Sequence, residues 1–147
     1  MTPPLDLARE IAPLLGGLRW GIGGSLLLHH FGLETAPQDL DIVTTPEDFP
    51  DAVARLSAHL GPAIQVDHPS YASLHFARFT SSRGVNLDIM AGIRVHARTG
   101  IQSWNFNSDT VLLQDRLPWM QARDWLTLYE MFDRPERVKL LPGFLDQ

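Results

Sequence analysis

The chain has 147 residues, 44% of them apolar and 20% charged, with a formal net charge of −5 and no cysteine. Such values suit a globular chain long enough to bury a core. They exclude a disulfide framework, a thiolate metal centre and a thiol nucleophile, and they supply no overall basic field for nucleic acid. The opening residues, Met1-Thr2-Pro3-Pro4-Leu5-Asp6, lack the basic and apolar stretches of a signal peptide. No apolar run approaches the roughly 18 residues of a membrane span. A cytoplasmic protein without membrane contact is expected.

No repeat, low-complexity tract or long linker interrupts the chain, so residues 1–147 read as a single domain. Pro3-Pro4 opens a helix over Leu5–Leu15, which Gly16-Gly17 ends. Leu18–Ile22 reads as a buried strand, Gly23-Gly24-Ser25 as a turn, and Leu26–Phe31 as a helix capped by Ser25. A loop over Glu34–Gln38 leads into a strand at Leu40–Thr44. Thr45 as cap and Pro46 as first residue then start a helix that reaches Leu60 before Gly61-Pro62. From there the apolar period drops to two. Ile64–Val66, Ser73–Phe79 and Val85–Met90 read as strands, with Ser81-Ser82-Arg83-Gly84 as a hairpin connection. Ile93–Val95 and Thr110–Leu113 are further short strand candidates. Leu117-Pro118 signals a helix over Trp119–Phe132, and Arg134-Pro135 a last helix to Leu141, giving a C-terminal helical segment at 117–141. The order predicts an α/β or α+β fold: a small mixed β-sheet with helices packed on one side.

The chemistry concentrates on three aspartates. Asp39 and Asp41 are two apart, so at the entry of a strand they share a face. Asp88 interrupts the apolar strand Val85-Asn86-Leu87-Asp88-Ile89-Met90, where an unpaired charge costs several kcal/mol. Carboxylates this close remain ionised readily only around a cation, and oxygen donors suit Mg²⁺ and substrate phosphates. Gly23-Gly24-Ser25 before an apolar helix offers flexible backbone and free N–H groups to an anion. Anion cradle and carboxylates together point to metal-assisted phosphate chemistry.

Gly23-Gly24-Ser25, then Asp39-Leu40-Asp41-Ile42, then Asp88 in an apolar strand resembles the signature of the polymerase-β-type nucleotidyltransferase superfamily, in particular its small single-domain members. The resemblance covers residues 18–90. It implies a nucleotidyltransferase-like fold and an enzyme that transfers a nucleoside monophosphate, AMP from ATP as the expected case, to a hydroxyl of a protein, RNA or small molecule. It implies Gly23, Gly24 and Ser25 at the nucleotide phosphates, and Asp39, Asp41 and Asp88 as catalytic residues and ligands of two Mg²⁺ ions. Nucleic acid would enter only as acceptor. A non-catalytic nucleotide-binding or antitoxin-like module of the same fold is the alternative. Such domains often carry a lysine in the C-terminal helix; here Lys139 is the only lysine, and Arg78, Arg83, Arg94 and Arg123 are the candidates to replace it. So short a chain leaves little room for an acceptor-binding domain, so a second subunit or a partner protein is expected to complete that site.

Other chemical-looking residues have plainer readings. His29 and His30 diverge by about 100° on a helix, so they read as surface residues. Trp104-Asn105-Phe106 reads as a loop packing aromatics on the core rather than a base-stacking platform, and Trp119, Trp125, Leu126, Leu128, Tyr129 and Phe132 as the buried face of a helix. His75 and Arg78 are placed near the cleft.

Overall fold

The computed structural model describes residues 2–33, 36–64, 75–97 and 100–145. Residues 65–66 and 73–74 of the expected strands, His68, and Glu34 and Thr35 of the expected loop lie outside them. The elements in order are α1 (Pro3–Ile11), β1 (Trp20–Gly23), α2 (Gly24–His30), β2 (Leu40–Thr44), α3 (Phe49–Leu60), β3 (His75–Thr80), β4 (Asn86–Ala91), β5 (Ile93–Ala97), β6 (Gly100–Trp104), β7 (Leu112–Gln114), β8 (Leu117–Trp119), α4 (Ala122–Met131) and α5 (Pro135–Val138). Short 3₁₀ turns follow α1 and α5.

Among the described residues, six strands form one mixed sheet in the order β3-β4-β2-β1-β8-β7, and β5-β6 form a separate two-stranded ribbon. β2 runs parallel to β4 and antiparallel to β1, while β8 runs parallel to β1. Alternation sorts the side chains. Leu40 and Ile42 face the same way as their partners Leu87 and Ile89, and all four are fully buried. Helix α1 packs on β2, α2 on β1 and β2, and α3 on β3. The buried stripe of α1, Pro4, Leu7, Ala8 and Ile11, has the i, i+3, i+4, i+7 spacing of one helix face. No described helix is long and apolar enough to cross a membrane.

β1 carries the constraint that shapes the other face. Trp20 and Ile22 point into the core, and Gly21 and Gly23 alternate with them. A Cβ on Gly21 would stand 2.7 Å from Met120 Cγ, and one on Gly23 would collide with the Trp125 indole. Two bare positions thus let the segment from Met120 to Trp125 settle directly on the strand. The Trp125 Nε1–H donates to Met120 Sδ at 3.2 Å within this contact.

Several local expectations change. Leu117–Trp119 is a strand rather than a helix start. Leu117 and Trp119 are buried with Pro118 between them, Trp119 pairs with Ile22, and the Met120 N–H continues the pairing to the Ile22 carbonyl at 3.0 Å. Pro118, read as part of a helix-start signal, is tolerated there because little of β8 pairs with β1. The tight link from β7 to β8 is Asp115-Arg116, both at positive φ, as a two-residue hairpin requires. Ser25 does not cap α2, which begins at Gly24 after Gly23. Helix α3 begins at Phe49; Thr45 instead closes the preceding turn, its Oγ1 accepting from the Asp48 N–H at 3.3 Å. Residues 100–104 form β6, a strand that the sequence pattern did not announce.

Leu87 is fully buried between β2 and β3, whereas Leu113 is 77% exposed on the edge strand β7. Leu87→Ala is expected to lower stability in urea unfolding by about 2–5 kcal/mol, and Leu113→Ala to change it by less than about 0.5 kcal/mol.

Candidate active site

The register brings the acids together. Asp41 in β2 pairs with Asp88 in β4, Asp88 with Arg78 in β3, and Asp41 on its other side with Gly23 in β1. Arg78, Asp88, Asp41 and Gly23 therefore form one row across four strands, and Asp39 lies at the strand entry on the same face. The Arg78 guanidinium grips Asp88 with two bonds, Nε to Oδ1 at 2.6 Å and Nη2 to Oδ2 at 2.9 Å.

Gly24 supports Asp41 from the next element. Its φ of +64° is left-handed, and a Cβ there would collide with the Asp41 carboxylate. Ser25 lies at the same end, its hydroxyl 3.5 Å from the Asp39 carbonyl. The glycine pair therefore has two jobs: Gly23 admits Trp125, and Gly24 admits Asp41.

The opposite wall comes from the C-terminal helices. α4 ends in Asp133 at φ +57°, with the Arg134 N–H returning to the Tyr129 carbonyl at 2.9 Å and the Asp133 N–H to that of Glu130 at 3.2 Å. This is a Schellman ending with aspartate in the usual glycine position. It turns the chain so that Arg134 and Arg137 reach the cleft. Arg137 donates to the Tyr129 hydroxyl at 3.1 Å and lies over its ring at 5.5 Å.

The resulting cleft has a volume of about 260 Å³ and includes Ser25, Asp39, Asp41, Arg78, Asp88, Trp125, Tyr129, Phe132, Arg134 and Arg137 in its lining. A larger depression of about 730 Å³, beside Arg9, Pro13 and Asp115–Leu117, contains none of these acids. Of the expected arginines, Arg78 lines the cleft; Arg83 borders a different depression with Asp6 and Glu10. Arg134 and Arg137 were not foreseen, because only the aspartate-built turn after α4 brings them round. His30 does not behave as a surface residue: it stacks on Trp119 at 3.9 Å and 5° and bonds Gln114 at 3.1 Å. His75 stacks on Phe49. Trp104 and Phe106 pack against the core, as expected.

The electrostatics follow from crowding. Burial pushes the Asp41 carboxyl up to about 7, helped by the negative charges of Asp88 and Asp39 and opposed by Arg137 and Arg78. Asp39 is raised for the same reasons, burial first and Asp88 second. Burial also pushes the Tyr129 hydroxyl up to about 12 against the pull of Arg137. Hard oxygen donors at Asp39 and Asp41, at least one of them disfavoured as a bare anion, suit a divalent cation. Asp88 has both oxygens engaged by Arg78, and among the described residues no three such side chains are grouped to hold a metal ion.

No family model and no curated protein matches the sequence. Solved structures do. A proposed nucleotidyltransferase from Thermotoga maritima superposes with a TM-score of 0.69 at 20% identity, over 99% of this chain and 96% of its own. ANT(2")-Ia, an aminoglycoside nucleotidyltransferase in complex with adenylyl-2"-tobramycin, superposes with a TM-score of 0.61 at 12% identity, over 95% of this chain and 88% of its own. The chain has the nucleotidyltransferase-like fold. Nearly complete coverage in both directions means that the likeness includes the C-terminal helices as well as the sheet.

A carboxyl whose folded pKa lies above its unfolded value holds its proton more tightly in the folded chain. Stability then falls as pH rises from about 3.8 to about 7. The full penalty at pH 8 is on the order of 4 kcal/mol. Asp41→Asn without divalent cations is expected to melt above the unsubstituted chain at pH 8, with the gap closing towards pH 4. Melting curves at a series of pH values measure this, and equal midpoints throughout would contradict the assignment.

Proposed function

We propose that the protein is a Mg²⁺-dependent nucleotidyltransferase that moves a nucleoside monophosphate, AMP from ATP as the leading case, onto an acceptor hydroxyl. The row of Asp41, Asp88 and Arg78 at the floor of an open cleft, with Asp39 on the same face, carries the proposal. It sets acids that favour a cation opposite arginines that favour an anion. The shared fold supports it, and so does the adenylyl-2"-tobramycin bound to ANT(2")-Ia, an adenylyl group already transferred to an acceptor.

In this reading Asp39 and Asp41 hold Mg²⁺, which when bound neutralises triphosphate charge and draws electron density from the phosphorus under attack. Gly24 and Ser25 contact the β- and γ-phosphates, with Gly23 setting the turn. The cleft of about 260 Å³ is smaller than the roughly 300–1,000 Å³ that encloses a drug-sized ligand, so it holds the reacting phosphates while the base rests outside. The acceptor oxygen bonds to the α-phosphorus and its proton passes to Asp88. The bond from that phosphorus to the bridging oxygen breaks, and pyrophosphate leaves with the electron pair towards Arg134 and Arg137. Catalysis of this kind is mainly positioning and charge neutralisation. The acceptor hydroxyl belongs to a protein, an RNA end or a small molecule, and a second copy or a partner protein completes its site.

Thermal melting with and without Mg²⁺ and each nucleoside triphosphate tests the reading. One nucleotide is expected to raise the midpoint of the unsubstituted chain only with Mg²⁺, by about 2.7 kcal/mol of stabilisation at a hundredfold excess over the dissociation constant. Asp41→Ala should lose that rise while keeping its fold. No rise with any nucleotide would favour a non-catalytic interaction module.

A further inference from the structure

The Arg78–Asp88 pair divides the acids into two unequal sets. Asp39 and Asp41 face the cleft beside Gly24 and Ser25. Asp88, 14% exposed, has each carboxylate oxygen bonded by a different nitrogen of Arg78, which is itself only 31% exposed. A forked, partly desolvated pair of this kind is stronger and more fixed in geometry than a single-bonded surface ion pair. It is also built in. Arg78 stands opposite Asp88 in the strand register, and its carbonyl accepts the Ile64 N–H at 2.6 Å from the outer side of β3.

A cation bridging Asp88 and Asp41 would have to approach a carboxylate already bonded to a guanidinium, against the charge of that guanidinium.

We infer that the cleft binds one divalent cation, on Asp39 and Asp41, and that Arg78 occupies the place of a second by holding Asp88. This rests on the proposed nucleotidyltransferase reading and revises its expectation of two ions. Arg78 is then a positioning residue: it keeps the Asp88 carboxylate in one plane and leaves its outer lone pairs for the acceptor proton.

Bound Mn²⁺ counted by electron paramagnetic resonance, with the α,β-methylene analogues of ATP and GTP, tests the inference without any turnover. The complete chain should bind one ion in the complex beyond nucleotide-only controls. Asp88→Asn, whose amide oxygen still accepts from Arg78, should also bind one, more weakly because a neighbouring negative charge is lost. Arg78→Met should bind two. Two ions in the unsubstituted chain, or none in Asp88→Asn, would overturn the one-ion site, and one ion in Arg78→Met would overturn the role of Arg78. Absence of both ion and nucleotide would sink the nucleotidyltransferase reading itself, an outcome distinct from a count of two.

Discussion

Asp41 and Asp88 stand side by side on adjacent parallel strands, with Asp39 at the strand entry and the Arg78 guanidinium closing the row on the far side. Uncompensated, such a group would oppose folding, since each added carboxylate makes the next harder to ionise. Arg78 cancels one charge through two short bonds. The rest of the imbalance appears at Asp41, whose carboxyl is held near 7 by burial and by its acidic neighbours. A sheet built mainly for core packing on its other face thus keeps an electrostatic tension at one point, one that a bound cation would relieve. Perturbed carboxyls of this kind cluster at functional sites.

The glycines determine how closely the rest of the chain can approach this row. Gly21 and Gly23 remove side chains from the acid-bearing face of β1, and Met120 and Trp125 fill the space. Gly24, in a left-handed conformation, lets backbone come up against Asp41. Once Trp125 is seated, α4 runs along the edge of the cleft, and Tyr129 and Phe132 become its wall. The aspartate at the end of α4 then brings Arg134 and Arg137 round to line the cleft. Negative and positive walls therefore meet across a narrow cleft through packing, with no contiguous motif holding both.

The misread elements share a cause. Asp115-Arg116 and Asp133 adopt positive φ where glycine would have announced a turn, so neither the hairpin before Trp119 nor the reversal after α4 was visible in the chain. Leu117-Pro118-Trp119 carried a helix-start proline but was drawn into the sheet by burial of its two apolar residues. β6 is exposed along most of its length and lacks an apolar alternation, so its pairing with β5 left no mark in composition. His30 looked like a surface residue because its stacking partner, Trp119, is distant in sequence.

What the sequence determined by itself was local and periodic. The Leu40–Thr44 strand, the alternation that put Leu87 and Ile89 inward and Asp88 outward, and the order of glycine turn and aspartates are short-range features, written in the spacing of apolar residues. They were enough to name the three acids and the turn beside them. Tertiary structure alone decided that Arg78 faces Asp88, that Trp125 requires Gly23, and that Arg134 and Arg137 complete the cleft. Those contacts depend on strand register and on turns closed by residues other than glycine. Register is a property of paired strands, and no single strand carries it.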